Sequence, residues 1–210
     1  MRALMAFFTM MVSLVACAQE APTQYVEGKH YAVITTPVRT TSADKIEVSE
    51  LFWYGCGHCF RFEPLVQQWK MKAADDIAFV QSPAMWNKPM ELHARAFYAA
   101  QALKVLDKVH QPIFNAMNLE RKRLQSVDEI FPIFAAAGVE RAAFDKVFKS
   151  FGVTSQVKQA DARARGYRIT GTPAVVVDGK YRVSTKMAGG HVEMLQVVDY
   201  LVEKIRAEKG

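Results

Sequence analysis

The sequence predicts an α/β domain interrupted by an all-helical insertion, and three patterns carry that expectation. A strand–helix–strand unit occupies residues 45–81. Only helical periods follow from about residue 90 to 165. A β-hairpin and a closing amphipathic helix then end the chain. Lys45–Tyr54 is rich in β-branched and aromatic residues and stops at Gly55, which fits a central strand. From Cys56 to Lys72 the apolar positions Cys59, Phe60, Leu65, Val66 and Trp69 suit a helix, with Pro64 inside it removing one N–H. Ile77–Gln81 is a second strand, and a parallel pairing with the first requires a right-handed crossover.

After Ser82-Pro83 the periods are helical: Leu92/Ala96/Ala99/Leu103, Val127/Ile130/Phe134 and Phe144/Val147/Phe148/Phe151. Breaks are expected at Gln111-Pro112, Ala137-Gly138 and Phe151-Gly152. Ala174–Val177 and Tyr181–Val183 are short strands joined through Asp178-Gly179, a hairpin signal. His191–Ala207 is the last helix. The expected segments are an export signal over 1–18, an α/β part over 19–85, a helical insertion over 86–155 and a second α/β part over 156–210.

Composition narrows the function classes. The chain has 210 residues, 50% of them hydrophobic, which excludes a disordered tail and a small disulfide-stapled scaffold. A net charge of +6 from 27 basic and 21 acidic residues is too mild an excess to argue for nucleic acid. Residues 1–18 have a basic start, an apolar stretch and Ala16-Cys17-Ala18 at the end, the layout of a secretory signal cleaved before Gln19. Leu14-Val15-Ala16-Cys17 also resembles a bacterial lipobox, in which Cys17 becomes a lipidated first residue. Either route exports the protein to a compartment where disulfides form.

Two cysteines then remain, Cys56 and Cys59. A disulfide across so short a loop is a poor staple, worth about 2 kcal/mol against about 4.7 for a loop of a hundred residues. Gly55-Cys56-Gly57-His58-Cys59 follows a strand and opens a helix, where unpaired N–H groups and the helix dipole favour a thiolate at Cys56. His58 adds to that effect, and Cys59 lies within reach to close the disulfide. A zinc half-site needs two more ligands from His30, His93, His110 or His191, none of which forms a spaced pair. The reading is a redox-active dithiol with one exposed attacking sulfur and one shielded resolving sulfur, and no metal.

At this point the sequence resembles the DsbA family of periplasmic thiol oxidants. The residues that carry the resemblance are Phe52–Phe60 with Phe62-Glu63, Leu106–Val109 with Pro112–Phe114, Phe134–Val139 and Gly171–Tyr181. The resemblance implies a thioredoxin fold with an inserted helical domain, covering essentially the whole mature chain. It implies a cis Thr172–Pro173 bond beside the disulfide, with the Thr172 backbone pairing to an extended substrate segment. It also places Glu50 as a buried acid below the cysteines, on the strand face shared by Ile46, Val48 and Phe52, where it relays a proton for Cys59. The competing reading of Glu50 is an acid on a wet part of the sheet. The implied partners are folding exported proteins and a quinone-linked membrane reoxidase of the DsbB type. No cofactor beyond the dithiol is implied, and a monomer is expected.

The sequence departs from that family at two positions. Gly57 stands where most members have Pro, and Thr172 stands where many have Val before the cis-Pro. Gly is looser than Pro at a first helical position, so weaker support of the Cys56 thiolate and a milder oxidant are expected. Cys-Gly-His-Cys and Gly171-Thr-Pro also resemble disulfide isomerases, so isomerase or reductase duty is the alternative enzyme reading. A peptide-binding chaperone with incidental cysteines is the alternative outside enzymes. The six mature methionines with Trp86 and Phe97 are candidate linings of a substrate groove.

Overall fold

In the computed structural model, which describes residues 25–42 and 44–209, strand β2 (Ile46–Phe52) is buried along its whole length. The expected export signal and Cys17 lie outside the described residues. β2 pairs in parallel with β3 (Ile77–Pro83) on one side and antiparallel with β4 (Ala174–Val177) on the other. β5 (Tyr181–Ser184) continues the sheet antiparallel to β4, and β1 (Ala32–Val33) closes the edge, giving the order β1-β5-β4-β2-β3. The β4–β5 turn has φ +51° at Asp178 and +66° at Gly179, the pair of positive values that a type I′ hairpin needs. A Cβ on Gly179 would strike the carbonyl oxygen of Val38, so this position takes only glycine.

Helix α1 (Gly57–Lys72) forms the β2–β3 crossover and runs through Pro64, which sits on its exposed side. Helices α7 (Thr185–Ala188) and α8 (His191–Lys209) follow β5. Phe62 and Val66 of α1 pack with Met194, Val198 and Leu201 of α8 over Ile46, Val48, Val175 and Val183 of the sheet. The opposite face is covered at Leu51 and Val176 by Ala164 and Tyr167.

Between β3 and β4 lie α2 (Lys88–Ala102), α3 (Leu106–Asn118), α4 (Val127–Ala136), α5 (Arg141–Phe148) and α6 (Phe151–Gly166). Asn87, Ser126 and Ser150 cap α2, α4 and α6 with side-chain oxygens, satisfying N–H groups that the helices leave free. Their core is a run of buried aromatics: Phe97, Phe114, Phe134 and Phe144, the last two with ring centres 4.7 Å apart. Phe52 and Tyr54, from the end of β2, belong to this same core.

Three expectations need correction. Pro112 does not break the chain: α3 passes through it, because burial of Val109, Ile113, Phe114 and Ala116 outweighs one lost backbone bond. The junction expected at 155/156 falls inside α6, whose Val153, Val157 and Ala160 face the helical core while Ala164 faces the sheet. The methionines, Trp86 and Phe97 do not line one groove: Phe97, Met90 and Met194 are core residues, whereas Trp86 and Met71 are exposed.

Phe97 joins the two parts of the molecule, its ring edge-on to Phe52 at 5.3 Å and fully buried. Truncation of Phe97 to Ala is expected to cost about 3–5 kcal/mol, read as a lowered urea midpoint with an unchanged slope. A loss below about 1 kcal/mol would show that this ring does not join the two parts.

Candidate active site

β2 delivers the chain to a tight turn at 53–55, closed by the Cys56 N–H donating to Trp53 O at 3.0 Å. A Cβ at Gly55 would overlap the Trp53 ring, so the turn needs glycine for space. Asn118, at the end of α3, donates through Nδ2 to Tyr54 O at 2.8 Å and so ties the helical insertion to this turn. Cys56 is then the N-cap of α1, with extended φ −90° and ψ 112°. Its sulfur accepts the Cys59 N–H at 3.4 Å, the role usually filled by a Ser or Asp oxygen. The thiol of Cys56 also reaches the carbonyl oxygen of Thr172 at 3.3 Å. The Thr172–Pro173 peptide is cis, and the cis loop therefore lies directly on the nucleophile's sulfur.

Both cysteines are free thiols in this structure, and their surroundings differ sharply. Hydrogen bonding from the Cys59 thiol, aided by the Thr172 side chain and the N–H groups of Cys59 and His58, brings Cys56 down to about 5 against the opposing effect of burial. Cys59 has no exposed surface, and burial, followed by the hydrogen bond and charge of Cys56, pushes its thiol well above the usual value. The arrangement gives one half-exposed sulfur ionised at neutral pH and one buried sulfur that holds its proton. Gly57 opens α1 and its side is open: a Cβ there meets nothing closer than Arg61 at 3.6 Å. The imidazole of His58 is exposed and its Nδ1 lies 3.2 Å from Arg61 Nη2, so His58 supports the sulfur through its backbone rather than its ring. His191, from α8, stands edge-on to His58 at 5.9 Å.

Glu50 is buried, not on a wet edge, and lies across the strand pair from Gln81. Gln81 Nε2 donates to Glu50 Oε2 at 2.9 Å and to Glu63 Oε2 at 3.2 Å. Glu63, on α1, also receives Gln67 at 2.7 Å and stands 3.3 Å from His110 Nε2 of α3. Tyr54 Oη lies 2.7 Å from the other ring nitrogen of His110. Burial and the Glu63 charge raise Glu50 to about 8. Burial pushes Glu63 up as well, but the hydrogen bond and charge of His110, with Gln67 and Gln81, outweigh it and hold Glu63 below the ordinary value. The other histidines weighed as zinc ligands have separate partners: His93 pairs with Trp53 and Leu124 O, and His30 caps the Val26 N–H.

Residues 67–202 match the family described as DSBA-like thioredoxin domain. The thiol:disulfide interchange protein DsbA of Pseudomonas aeruginosa is 39% identical over 197 residues, 94% of this chain and 93% of that protein. The DsbA of Azotobacter vinelandii is 39% identical over 89% of this chain and 87% of its own. A crystal structure of the Pseudomonas aeruginosa protein superposes with a TM-score of 0.84 at 38% identity, over 88% of this chain and 96% of that one. The chain belongs to the DsbA family. The thioredoxin fold with a helical insertion follows from that membership and from the observed sheet.

In this DsbA-family chain the structure brings Cys56, Cys59, Gly57 and the Thr172–Pro173 loop together at the start of α1, and the charge of Glu50 registers at Cys59. Sequence reasoning missed Glu63, Gln81 and Tyr54, and weighed His110 only as a metal ligand. One signal was available: Cys59, Phe62, Glu63 and Val66 share the buried face of α1, so Glu63 is an acid in an apolar row.

The two perturbed groups act on stability in opposite senses. Cys56 falls from 9.0 to about 5, so its contribution is complete above pH 9 and is lost as pH drops through 5. Glu50 rises from 4.5 to about 8, so its contribution is complete below 4.5 and is lost as pH climbs through 8. Urea unfolding of reduced Cys56→Ala should therefore show stability declining from pH 4.5 to 8. Reduced Glu50→Gln should show it increasing from pH 5 to 9. Flat profiles in both variants would contradict the assignment.

Proposed function

We propose that this chain is an exported thiol–disulfide oxidoreductase that donates a Cys56–Cys59 disulfide to folding proteins. The observation that carries this reading is the unequal pair at one helix N-terminus: a Cys56 sulfur at about 5 and a fully buried Cys59 thiol. Only the accessible sulfur of such a pair is open to attack. A substrate thiolate attacks Cys56 Sγ, a mixed disulfide forms, and Cys59 leaves with the electron pair of the broken S–S bond. A second substrate thiolate then attacks its own partner sulfur and expels Cys56 as a stable thiolate. Two electrons have passed from the substrate dithiol to the enzyme.

The Thr172 backbone at the cis bond is suited to pairing with an extended substrate segment, since its carbonyl already lies 3.3 Å from the nucleophile. Reoxidation falls to a quinone-linked membrane partner of the DsbB type, and the working form is a periplasmic monomer, tethered if Cys17 is lipidated. Among the described residues, the thioredoxin part comprises 25–85 and the chain from the sheet-facing end of α6 onward, with the helical insertion between them.

Mass spectrometry of periplasmic proteins trapped on Cys59→Ala is expected to show mixed disulfides at Cys56, and Cys56→Ala should lose all oxidation of a reduced, unfolded substrate. Oxidation retained by Cys56→Ala would end the reading, and faster repair of a scrambled than of a reduced substrate would favour an isomerase. Gly57 sets the strength of the oxidant. Pro is accommodated at this first helical position, where the open side leaves room. Gly57→Pro is expected to shift the equilibrium with glutathione several-fold toward the reduced enzyme, a stronger oxidant. An unchanged equilibrium would remove the loop-stiffness account.

A further inference from the structure

Two clefts open beside Cys56, and no residue lines both. His58 and the Thr172–Pro173 loop line one, while Trp53 and Gly55 line the other, which has a volume of about 430 Å³. This second cleft also carries apolar Met117 and three cations, Arg121, Lys122 and Arg123, and no carboxylate lines it. Arg121 and Arg123 are exposed, and among the described residues neither guanidinium has an ion-pair or hydrogen-bond partner. Lys122 pairs with Glu120 at 2.7 Å, where both side chains are more than half exposed and the pair is weak. Glu129 serves the start of α4 instead, accepting the Gln125 N–H at 3.0 Å and the Ser126 hydroxyl at 3.3 Å.

The loop that carries these cations is held in place. Arg121 and Leu124 have φ of +57° and +49°, a region that residues with a Cβ seldom enter. Three ties keep it there. The Lys122 N–H donates to Ala116 O at 2.9 Å, at the end of α3. Leu124 is buried in the helical core, and its carbonyl oxygen lies 3.0 Å from His93 Nε2. The Trp53 indole can only donate, and it gives its N–H to His93 Nδ1 at 3.0 Å, so Nε2 carries the ring hydrogen and donates it to Leu124 O. Burial favours this neutral imidazole. One ring therefore joins the cationic loop to the first residue of the active-site turn, and uncommon backbone held beside a reactive group is characteristic of functional sites.

We propose that the loop at Arg121–Arg123 is a substrate-selecting subsite that receives acidic side chains of the polypeptide whose thiol reacts with Cys56. The proposal rests on the oxidoreductase reading above and names the substrate class of that same site. A chain paired with the Thr172 backbone must pass Cys56, and Gly55, the residue before Cys56, already lines the cationic cleft. An extended chain advances about 3.3 Å per residue, so the selected acids lie within a few positions of the substrate cysteine. Guanidinium groups take carboxylates through paired N–H bonds, and an anchored loop gives up less freedom on binding than a mobile one. Complementary charge also raises the rate of encounter. The chain's net charge of +6 is a mild excess overall, yet in this cleft three cations face no acid. Such a loop would also suit an anionic lipid surface, but its place beside the nucleophile favours a chain that has to reach that sulfur.

The test is stopped-flow reduction of the oxidised mature protein by peptide dithiols that carry an Asp pair before or after the cysteines, against the same peptides with Asn. The Asp/Asn ratio of rate constants is compared between proteins, which cancels the effect of Asp on the peptide thiol itself. In a protein with Arg121→Asn and Arg123→Gln the ratio should fall about fivefold for acids on one side of the cysteines and hold for the other side. Asn suits position 121 because it tolerates a positive φ. Arg121→Glu with Arg123→Glu should turn the preference toward a Lys pair. In the unaltered protein about 0.5 M salt should erase the one-sided preference, which decides the matter if a variant's melting curve shows that it does not fold. Ratios equal in the unaltered and substituted proteins, or a fall on both sides alike, would overturn the subsite. Loss of binding to vesicles of anionic phospholipid with the peptide ratios intact would overturn it too, in favour of a membrane contact. Absence of peptide oxidation by the unaltered protein would instead overturn the oxidoreductase reading.

Discussion

A sulfur atom used as a helix cap governs this structure. Helix α1 begins with N–H groups that have no partner inside the helix, and the Cys56 sulfur accepts one of them at 3.4 Å. A neutral thiol is a weak acceptor, whereas a thiolate is a good one, so the cap is strongest when the sulfur is charged. Folding and chemistry therefore draw on the same bond. The central place of β2, the glycine turn at 55 and the cis loop at 172–173 all keep that sulfur where the helix needs an acceptor.

The second sulfur owes its character to the helical insertion. Cys59 is one turn along α1 and points away from solvent, into the cluster that contains Phe97, Phe114 and Tyr54. Burial there disfavours its thiolate. The insertion also supplies Asn118 to the turn and His110 to the acids below. It is the floor of the site, and the two halves of the dithiol differ because one faces the cis loop and the other faces this floor.

The parallel strand–helix–strand unit, the Asp178-Gly179 hairpin and the dithiol were legible because each is encoded locally, in periodicity or in adjacent residues. Strand β1 was not, since two edge residues show no period. Pro112 misled because a local rule met tertiary burial: four apolar residues of α3 insert into the core and the helix continues. The 155/156 junction misled because α6 serves both units along one helix, so no punctuation marks the change. Glu50 was found through its match to the family's buried acid, in a row that is otherwise apolar, but its partners were not. Gln81 is 31 residues away and His110 comes from another element, and only the folded chain brings them together.

That network also explains why two acids are tolerated beneath a nucleophile that must be anionic. Two ionised carboxylates under a thiolate would oppose the charge on Cys56, and low dielectric makes such repulsion severe. Glu63 is met by Gln67, Gln81 and His110, whose hydrogen bonds hold its carboxyl below the ordinary value, and a protonated Glu50 carries no charge. Negative charge at Cys56 is met by the N–H groups that open the helix. A negative charge arriving on Cys59 as the disulfide opens is buried, and that burial outweighs the hydrogen bond from Thr172 that favours the charge. Glu50, whose charge registers at Cys59, is the acid whose second oxygen the fold leaves buried without a partner.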